Sequence, residues 1–286
     1  MYRFVIRYAK QAEFSMPTFR SLSDLLDAAE RSGRLNLRTQ EIRDSLREVS
    51  AEALRQALYR QQKRGRVVRL SRGSDHWLIV PLQYAEAGAP PLEIWLDRYL
   101  RKTLGIRYYV ALLSAAETYG ASPYAVMVTQ VMVAERRRPI SAGRHEVVFH
   151  TRSRIERMPT RWHETPEGRF EVATPELTAL ELVERAAQVG GIARVREVLA
   201  VLWRSCSAEG LTAALEALQE VPTAQRLGAL LVLGGEPALA ERVAGWLRDK
   251  PVRLVELERR ASQRGRSQVD ARFQVRFSGD LAGANA

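Results

Sequence analysis

The spacing of apolar residues changes near residue 66, and this change constrains the first third of the chain most. From residue 21 to residue 65 apolar residues recur at three- and four-residue intervals, as in amphipathic helices. The next apolar residues form two short runs, 67–70 and 77–80, on either side of the polar turn 71–75. This pattern predicts a β-hairpin directly after the helices.

Three short helices are predicted before the hairpin. The first covers 21–34, the second follows Thr39 and ends near Ser50, and the third is capped by Ser50 and ends at Gly65. Three helices followed by a hairpin is the element order of a winged helix-turn-helix. We therefore predict that residues 1–84 form a winged helix-turn-helix DNA-binding domain.

The segment that follows, 85–91, combines small residues, a glycine and two prolines, and is predicted to be a linker. Beyond it, residues 92–286 alternate between helical and strand-like patterns. Helices are expected at 92–104, at 111–119 and repeatedly after Thr174, with strands at 126–133 and 146–150. Two further strands are expected at 252–257 and 273–277. The predicted fold class is mixed α/β.

The positive charge is concentrated in two blocks. The chain has 286 residues and a net charge of +11, of which residues 34–72 carry +7 and residues 135–161 carry +5. The rest of the chain is close to neutral. Because localised basic surfaces attract polyanions, nucleic acid is the expected partner.

The polar face of the third predicted helix carries side chains suited to double-stranded DNA. Arg and Gln can form paired hydrogen bonds with base edges in the major groove, while Tyr, Lys and other Arg side chains reach phosphates. Arg55, Gln56 and Arg60 are predicted to contact base edges. The other predicted DNA contacts are Tyr59, Lys63, Arg66, Arg69 and Arg72. The alternative is an ordinary solvated helix face, since Arg and Gln are also good helix formers.

The second basic block is expected on loops and strand ends of the second domain. It is interpreted as a second surface that binds a polyanion, either more DNA or an RNA. An ordinary charged loop without a binding role is an equal alternative. Its members are Arg136, Arg137, Arg138, Arg144, Arg152 and Arg154.

Motifs for catalysis, metals and cofactors are absent from the sequence. The chain lacks a phosphate-binding G-x-x-x-x-G-K-[ST] loop, a G-x-G-x-x-G turn and an H-E-x-x-H zinc motif. Its four histidines are scattered, and Cys206 stands alone, which excludes an internal disulfide. We expect a protein without catalytic residues, metal or cofactor. The sequence shows neither a signal peptide nor a membrane span, so the expected location is the cytoplasm.

Several segments occur in a characteristic order in the second domain. They are YYVALLSAAETYGA at 108–121, QVMV at 130–133, RPI at 138–140, VVFH at 147–150, TPELTALELV at 174–183, GG at 190–191 and QRLG at 225–228. With this ordered set the chain resembles the AbiEi family, the antitoxins of type IV AbiE toxin–antitoxin systems, over about residues 10–250.

The resemblance implies a repressor that binds inverted repeats in the promoter of its own operon. It also implies that the second domain counters a nucleotidyltransferase-like toxin, with or without stable contact, in a system linked to phage resistance. One alternative is a one-component winged-helix regulator whose C-terminal domain senses a small ligand. A nucleic-acid enzyme ranks last, because acidic residues near the second basic block are few.

Overall fold

The chain divides between Ala89 and Pro90 into an N-terminal and a C-terminal unit. The structure is a computed structural model that describes residues 18–47, 49–71, 73–122, 126–258 and 267–278.

The N-terminal unit combines three helices with a small sheet. Its helices are α1 (Leu22–Arg31), α2 (Thr39–Asp44) and α3 (Ala51–Lys63), and its strands are β1 (Asn36–Arg38), β2 (Val67–Arg69) and β3 (His76–Ile79). The antiparallel sheet has the order β1-β3-β2, so β3 lies in the middle. The buried side chains of the three helices and of β3 form the core of this unit.

Local sequence signals explain most of these boundaries. Ser21 and Ser50 cap α1 and α3, and the Ser50 hydroxyl accepts a hydrogen bond from the Ala53 amide at 3.1 Å. The second helix is shorter than predicted, since it ends at Asp44. The reason is tertiary, because the next residues pair with Phe19, whose amide donates to the Ser45 carbonyl at 2.8 Å.

The C-terminal unit contains two sheets and seven α-helices within the described ranges. The helices are α4 (Leu92–Asp97), α5 (Leu112–Thr118), α6 (Pro175–Glu184), α7 (Ile192–Leu202), α8 (Ala208–Leu218), α9 (Val221–Leu233) and α10 (Pro237–Leu247). The strands are β4 (Tyr108–Val110), β5 (Thr129–Val133), β6 (Ile140–Ala142), β7 (His145–Thr151), β8 (Thr160–Thr165), β9 (Gly168–Ala173), β10 (Val255–Glu256), β11 (Ser267–Asp270) and β12 (Val275–Ser278).

The larger sheet is mixed, with the order β6-β7-β5-β4-β9-β8, and the smaller has the order β10-β12-β11. In the larger sheet, β5 runs parallel to β7 and β4 runs parallel to β9, while the other neighbours are antiparallel. The predicted mixed α/β fold class is therefore confirmed.

Helix α6 forms the centre of the C-terminal unit. It packs against α5, α7, α8, α9 and β9, and every residue from Pro175 to Val183 is buried. The expected helical segment after Thr174 begins with α6: the Thr174 hydroxyl caps the Leu177 amide at 3.3 Å, and Pro175 is the first helical residue. A helix buried on all sides needs neighbours on all sides, which explains the surrounding helices.

Several elements differ from the prediction. The helix predicted at 92–104 is α-helical only to Asp97 and continues as a π-helix over Arg98–Thr103. The hairpin formed by β8 and β9 was not predicted, because the polar sequence of β8 lacks an apolar alternation. The C-terminal segment contains three strands instead of two. The helices of the described ranges are all too short or too polar to span a membrane.

Candidate nucleic-acid interface

Helix α3 has one buried and one exposed face. Leu54, Leu58 and Gln61 are buried. The exposed face brings together the five predicted DNA contacts of this helix, which are Arg55, Gln56, Tyr59, Arg60 and Lys63. The amphipathic spacing of the sequence accounts for this placement.

Exposed contacts within the helix orient these side chains. The Glu52 carboxylate pairs with the Arg55 guanidinium and accepts a hydrogen bond from Gln56 Nε2 at 3.1 Å. The Lys63 ammonium lies 5.6 Å from the centroid of the Tyr59 ring. Surface pairs of this kind contribute little to stability, so the side chains can exchange them for groups of a ligand.

The hairpin adds one exposed arginine beside the helix. Arg69 Nε donates to the Ser74 carbonyl at 2.6 Å, and its guanidinium lies 5.2 Å from the centroid of the Trp77 ring. These contacts hold the Arg69 side chain along β3. Arg72 lies outside the described residues.

Arg66 has a different environment from the other predicted contacts. Its guanidinium pairs with Asp27 at 2.5 Å and with Glu30 at 3.3 Å, and both carboxylates belong to α1. The pairs neutralise its charge within the N-terminal unit. Arg66 therefore joins the start of the hairpin to α1.

A groove of about 360 Å³ separates α3 from α2 and the hairpin. Three arginines line it, namely Arg43 from α2, Arg55 from α3 and Arg69 from β2. None of the described residues that line it is acidic. Arg43 is not among the predicted DNA contacts, because it lies outside the third helix, although the basic block 34–72 contains it.

The second basic block is divided by the fold. Arg136, Arg137 and Arg138 are exposed in the loop after β5, and Arg154 is exposed in the turn after β7. Because β5 and β7 are parallel, these two segments lie at the same end of the sheet. Arg144 is exposed as well, but in the turn before β7, at the opposite end.

Arg152 is the exception in this block, and the structure corrects its predicted surface position. The residue is only 8 % exposed. Its Nε donates to Glu181 Oε1 at 3.0 Å, and its guanidinium also pairs with Glu184. Arg152 is buried because it balances the charge of Glu181, which is completely buried in α6.

Tyr109 completes this buried cluster. Its hydroxyl donates to Glu181 Oε1 at 2.6 Å. Burial raises the pKa of the Glu181 carboxyl, and the Arg152 charge opposes that rise. Burial, together with the Glu181 charge, also raises the pKa of the Tyr109 hydroxyl. The cluster joins β4, the end of β7 and α6 in the interior of the C-terminal unit.

The described residues contain no group of three or more His, Cys, Asp or Glu side chains placed to hold a metal ion. Burial raises the pKa of the Cys206 thiol, which keeps it in the unreactive protonated form.

Comparison with known proteins identifies part of the C-terminal unit. Residues 109–233, from β4 to the end of α9, match the family model described as the AbiEi antitoxin C-terminal domain. The match confirms the resemblance seen in the sequence. No curated protein sequence matches the chain.

A solved structure is similar to nearly the whole chain. It is the crystal structure of the RV2827C protein from Mycobacterium tuberculosis, which is 17 % identical, with a TM-score of 0.62. The similarity covers 92 % of this chain and 94 % of that chain. At this level of identity it shows a shared fold.

Proposed function

We propose that the protein is the antitoxin of a type IV toxin–antitoxin system and represses its own promoter. The proposal starts from the match of residues 109–233 to the family model of the AbiEi antitoxin C-terminal domain. The toxin it counters is a nucleotidyltransferase-like protein encoded beside it. The antitoxin opposes the effect of this toxin. Whether the two proteins also form a stable complex is a separate question. The family match supports the antitoxin part.

The exposed basic face of α3 carries the DNA-binding part of the proposal. This face lies beside a hairpin that contributes Arg69, in a unit with the element order of a winged helix-turn-helix. We assign residues 1–84 as the DNA-binding domain and 85–91 as its linker. Arg136, Arg137, Arg138 and Arg154, which lie at the same end of the larger sheet, form a further polyanion surface in this proposal.

A gel shift with the promoter DNA upstream of the gene tests the repressor part. The expected result is binding that weakens steeply with salt, because phosphate contacts release counterions. Replacing both Arg55 and Arg60 by alanine is expected to weaken binding by about 10-fold to 100-fold. Arg31→Ala, which removes an exposed charge from the last turn of α1, serves as the control. Salt-insensitive binding, or an unchanged double variant, would contradict this part.

A growth assay tests the antitoxin part. The neighbouring toxin gene is induced with and without the full chain, and the expected result is restored growth when both are present. A pull-down with the purified toxin asks separately whether the two proteins form a stable complex. The antitoxin part fails if the full chain gives no rescue at an expression level confirmed by blotting.

One observation favours a second candidate function, a one-component regulator that senses a small ligand. The C-terminal unit contains a cavity of about 610 Å³ whose lining includes Arg185, Gln188, Arg226 and Leu257. This volume falls in the range of small-molecule sites. A thermal-shift screen with nucleotides and amino acids distinguishes the two candidates, since only a sensor is expected to show a ligand-dependent change in both melting temperature and promoter binding.

A further inference from the structure

The exposed side chains of α3 form two parallel rows. Arg55, Tyr59 and Gln62 follow one another at helical spacing and line the groove beside α2 and the hairpin. Gln56, Arg60 and Lys63 have the same spacing, shifted by one residue, which turns them about 100° around the helix axis. The structure places this second row on exposed surface outside the groove.

The groove combines an apolar floor with a basic rim. Leu54, Leu58 and Trp77 contribute to the floor, and the Trp77 indole N–H donates to the Thr39 hydroxyl at 3.0 Å. Arg43, Arg55 and Arg69 provide the positive rim, without an acidic residue among the described lining. A sugar–phosphate strand matches this combination, because its phosphates are negative and its sugars present apolar surface.

The composition of the groove also favours duplex DNA over single-stranded nucleic acid. Binding of single strands depends on aromatic platforms on which successive bases stack. Tyr59 is 55 % exposed, whereas Trp77 is only 5 % exposed and so offers no open ring face for stacking. One exposed ring does not make a row of platforms.

We infer that one sugar–phosphate strand of duplex DNA lies in this groove, while the row formed by Gln56, Arg60 and Lys63 faces the base edges. Arg43, Arg55 and Gln62 then contact phosphates. The inference rests on the proposed DNA binding and deepens it in two ways. It moves Arg55 from base contact to backbone contact, and it adds Arg43 and Gln62 to the interface.

The two rows are expected to differ in how their loss affects binding. A phosphate contact contributes equally on every sequence, whereas a base contact contributes only on the correct one. Loss of Arg43 should therefore lower affinity for all duplexes alike, and loss of Arg60 should lower affinity mainly for the promoter.

The experiment measures binding of the full chain to the promoter duplex, to a shuffled duplex of equal length and to one promoter strand alone, over a range of salt concentrations. Arg43→Ala and Gln62→Ala test the groove, Arg60→Ala tests the outer row, and Arg31→Ala is the matched control for loss of one exposed charge. Arg43→Ala is expected to weaken both duplexes by a similar factor, and to reduce the salt slope by about 1. Arg60→Ala is expected to reduce the preference for the promoter about 10-fold.

Different results overturn different claims. If the wild-type chain binds the promoter duplex but Arg43→Ala and Gln62→Ala both behave like Arg31→Ala, the groove inference is wrong and the proposed repressor function stands. Tighter binding of the single strand than of the duplex also rejects the inference. If the wild-type chain binds neither of the two duplexes nor the single strand, the repressor function itself is wrong. Melting curves for every variant confirm that each one is folded.

Discussion

Single residues of α9 connect the helical part of the C-terminal unit to its small sheet. Gln225 is 1 % exposed, and its Nε2 donates to the carbonyls of Arg253 and Phe273, both at 2.7 Å. One turn later, Gly228 lies against the ring of Phe273, which is completely buried. A side chain at position 228 has no room, because a Cβ there would lie 2.2 Å from the ring atom Cε1.

Replacing Gly228 by alanine is therefore expected to destabilise the C-terminal unit. Overpacking of this kind typically costs about 1–3 kcal/mol. Gly245→Ala is the matched control, since this helical glycine of α10 has nothing within 4 Å of the added Cβ. The control should gain roughly 0.5–1 kcal/mol from higher helix propensity. Urea unfolding measures the free energy of unfolding of both variants. Equal stability of the two would contradict the role assigned to Gly228.

At the scale of elements, the junction between α6 and α8 depends on one buried carboxylate. Glu176 lies in the first turn of α6, where an acid favours the helix dipole. In the structure Glu176 is 4 % exposed, and its Oε1 accepts hydrogen bonds from the Ser207 amide at 2.7 Å and the Ser207 hydroxyl at 3.2 Å. One side chain therefore stabilises the starts of two helices that are distant in sequence.

Glu176→Ala is expected to weaken this junction, because the Ser207 amide loses its partner. An unsatisfied buried donor costs roughly 1–3 kcal/mol. Glu176→Gln keeps an oxygen acceptor for the Ser207 amide and should therefore lose less stability. Glu209→Ala, which removes an exposed acid from the first turn of α8, should cost only about 0.3–1 kcal/mol. Urea unfolding followed by circular dichroism ranks the variants, and a larger loss for Glu209→Ala than for Glu176→Ala would refute the assignment.

At the scale of the whole molecule, histidines in both units link stability to pH. Burial lowers the pKa of His76, His145 and His150 below the usual 6.5, and the nearby Arg185 charge lowers that of His150 further. The unfolded chain then binds protons more readily than the folded chain. The stability that these histidines confer is present above pH 6.5 and is lost as the pH falls through their folded pKa values.

His150→Gln is expected to reduce this pH dependence. The drop in melting temperature of the C-terminal unit between pH 7.5 and pH 5.5 should be smaller in the variant than in the wild type, because one titrating group is gone. Between pH 7.5 and pH 8.5 a histidine with a lowered pKa is neutral. Over this range the melting temperatures of the two proteins should change by the same amount. An identical acid-induced drop in both proteins would show that His150 does not contribute.

The sequence by itself determined the local features of this protein. Caps at Ser21, Ser50 and Thr174, together with apolar spacing, specify most helices and the first hairpin, because these signals act between residues a few positions apart. The spacing also places the DNA-contact candidates of α3 on one exposed face. Strand β8 escaped prediction although its partner β9 follows after only two residues, because its polar sequence lacks an apolar alternation.

Only the tertiary structure decided which of the basic residues are buried or paired with carboxylates. Arg66 pairs with Asp27, which is 39 positions away, and Arg152 pairs with Glu181, which is 29 positions away. No local pattern encodes such partners, so the sequence alone shows neither the ion pairs of Arg66 nor the burial of Arg152. The groove that brings together Arg43, Arg55 and Arg69 likewise exists only after α2, α3 and the hairpin have packed. Charge is a property of the residue, but its availability to a ligand depends on what the fold places beside it.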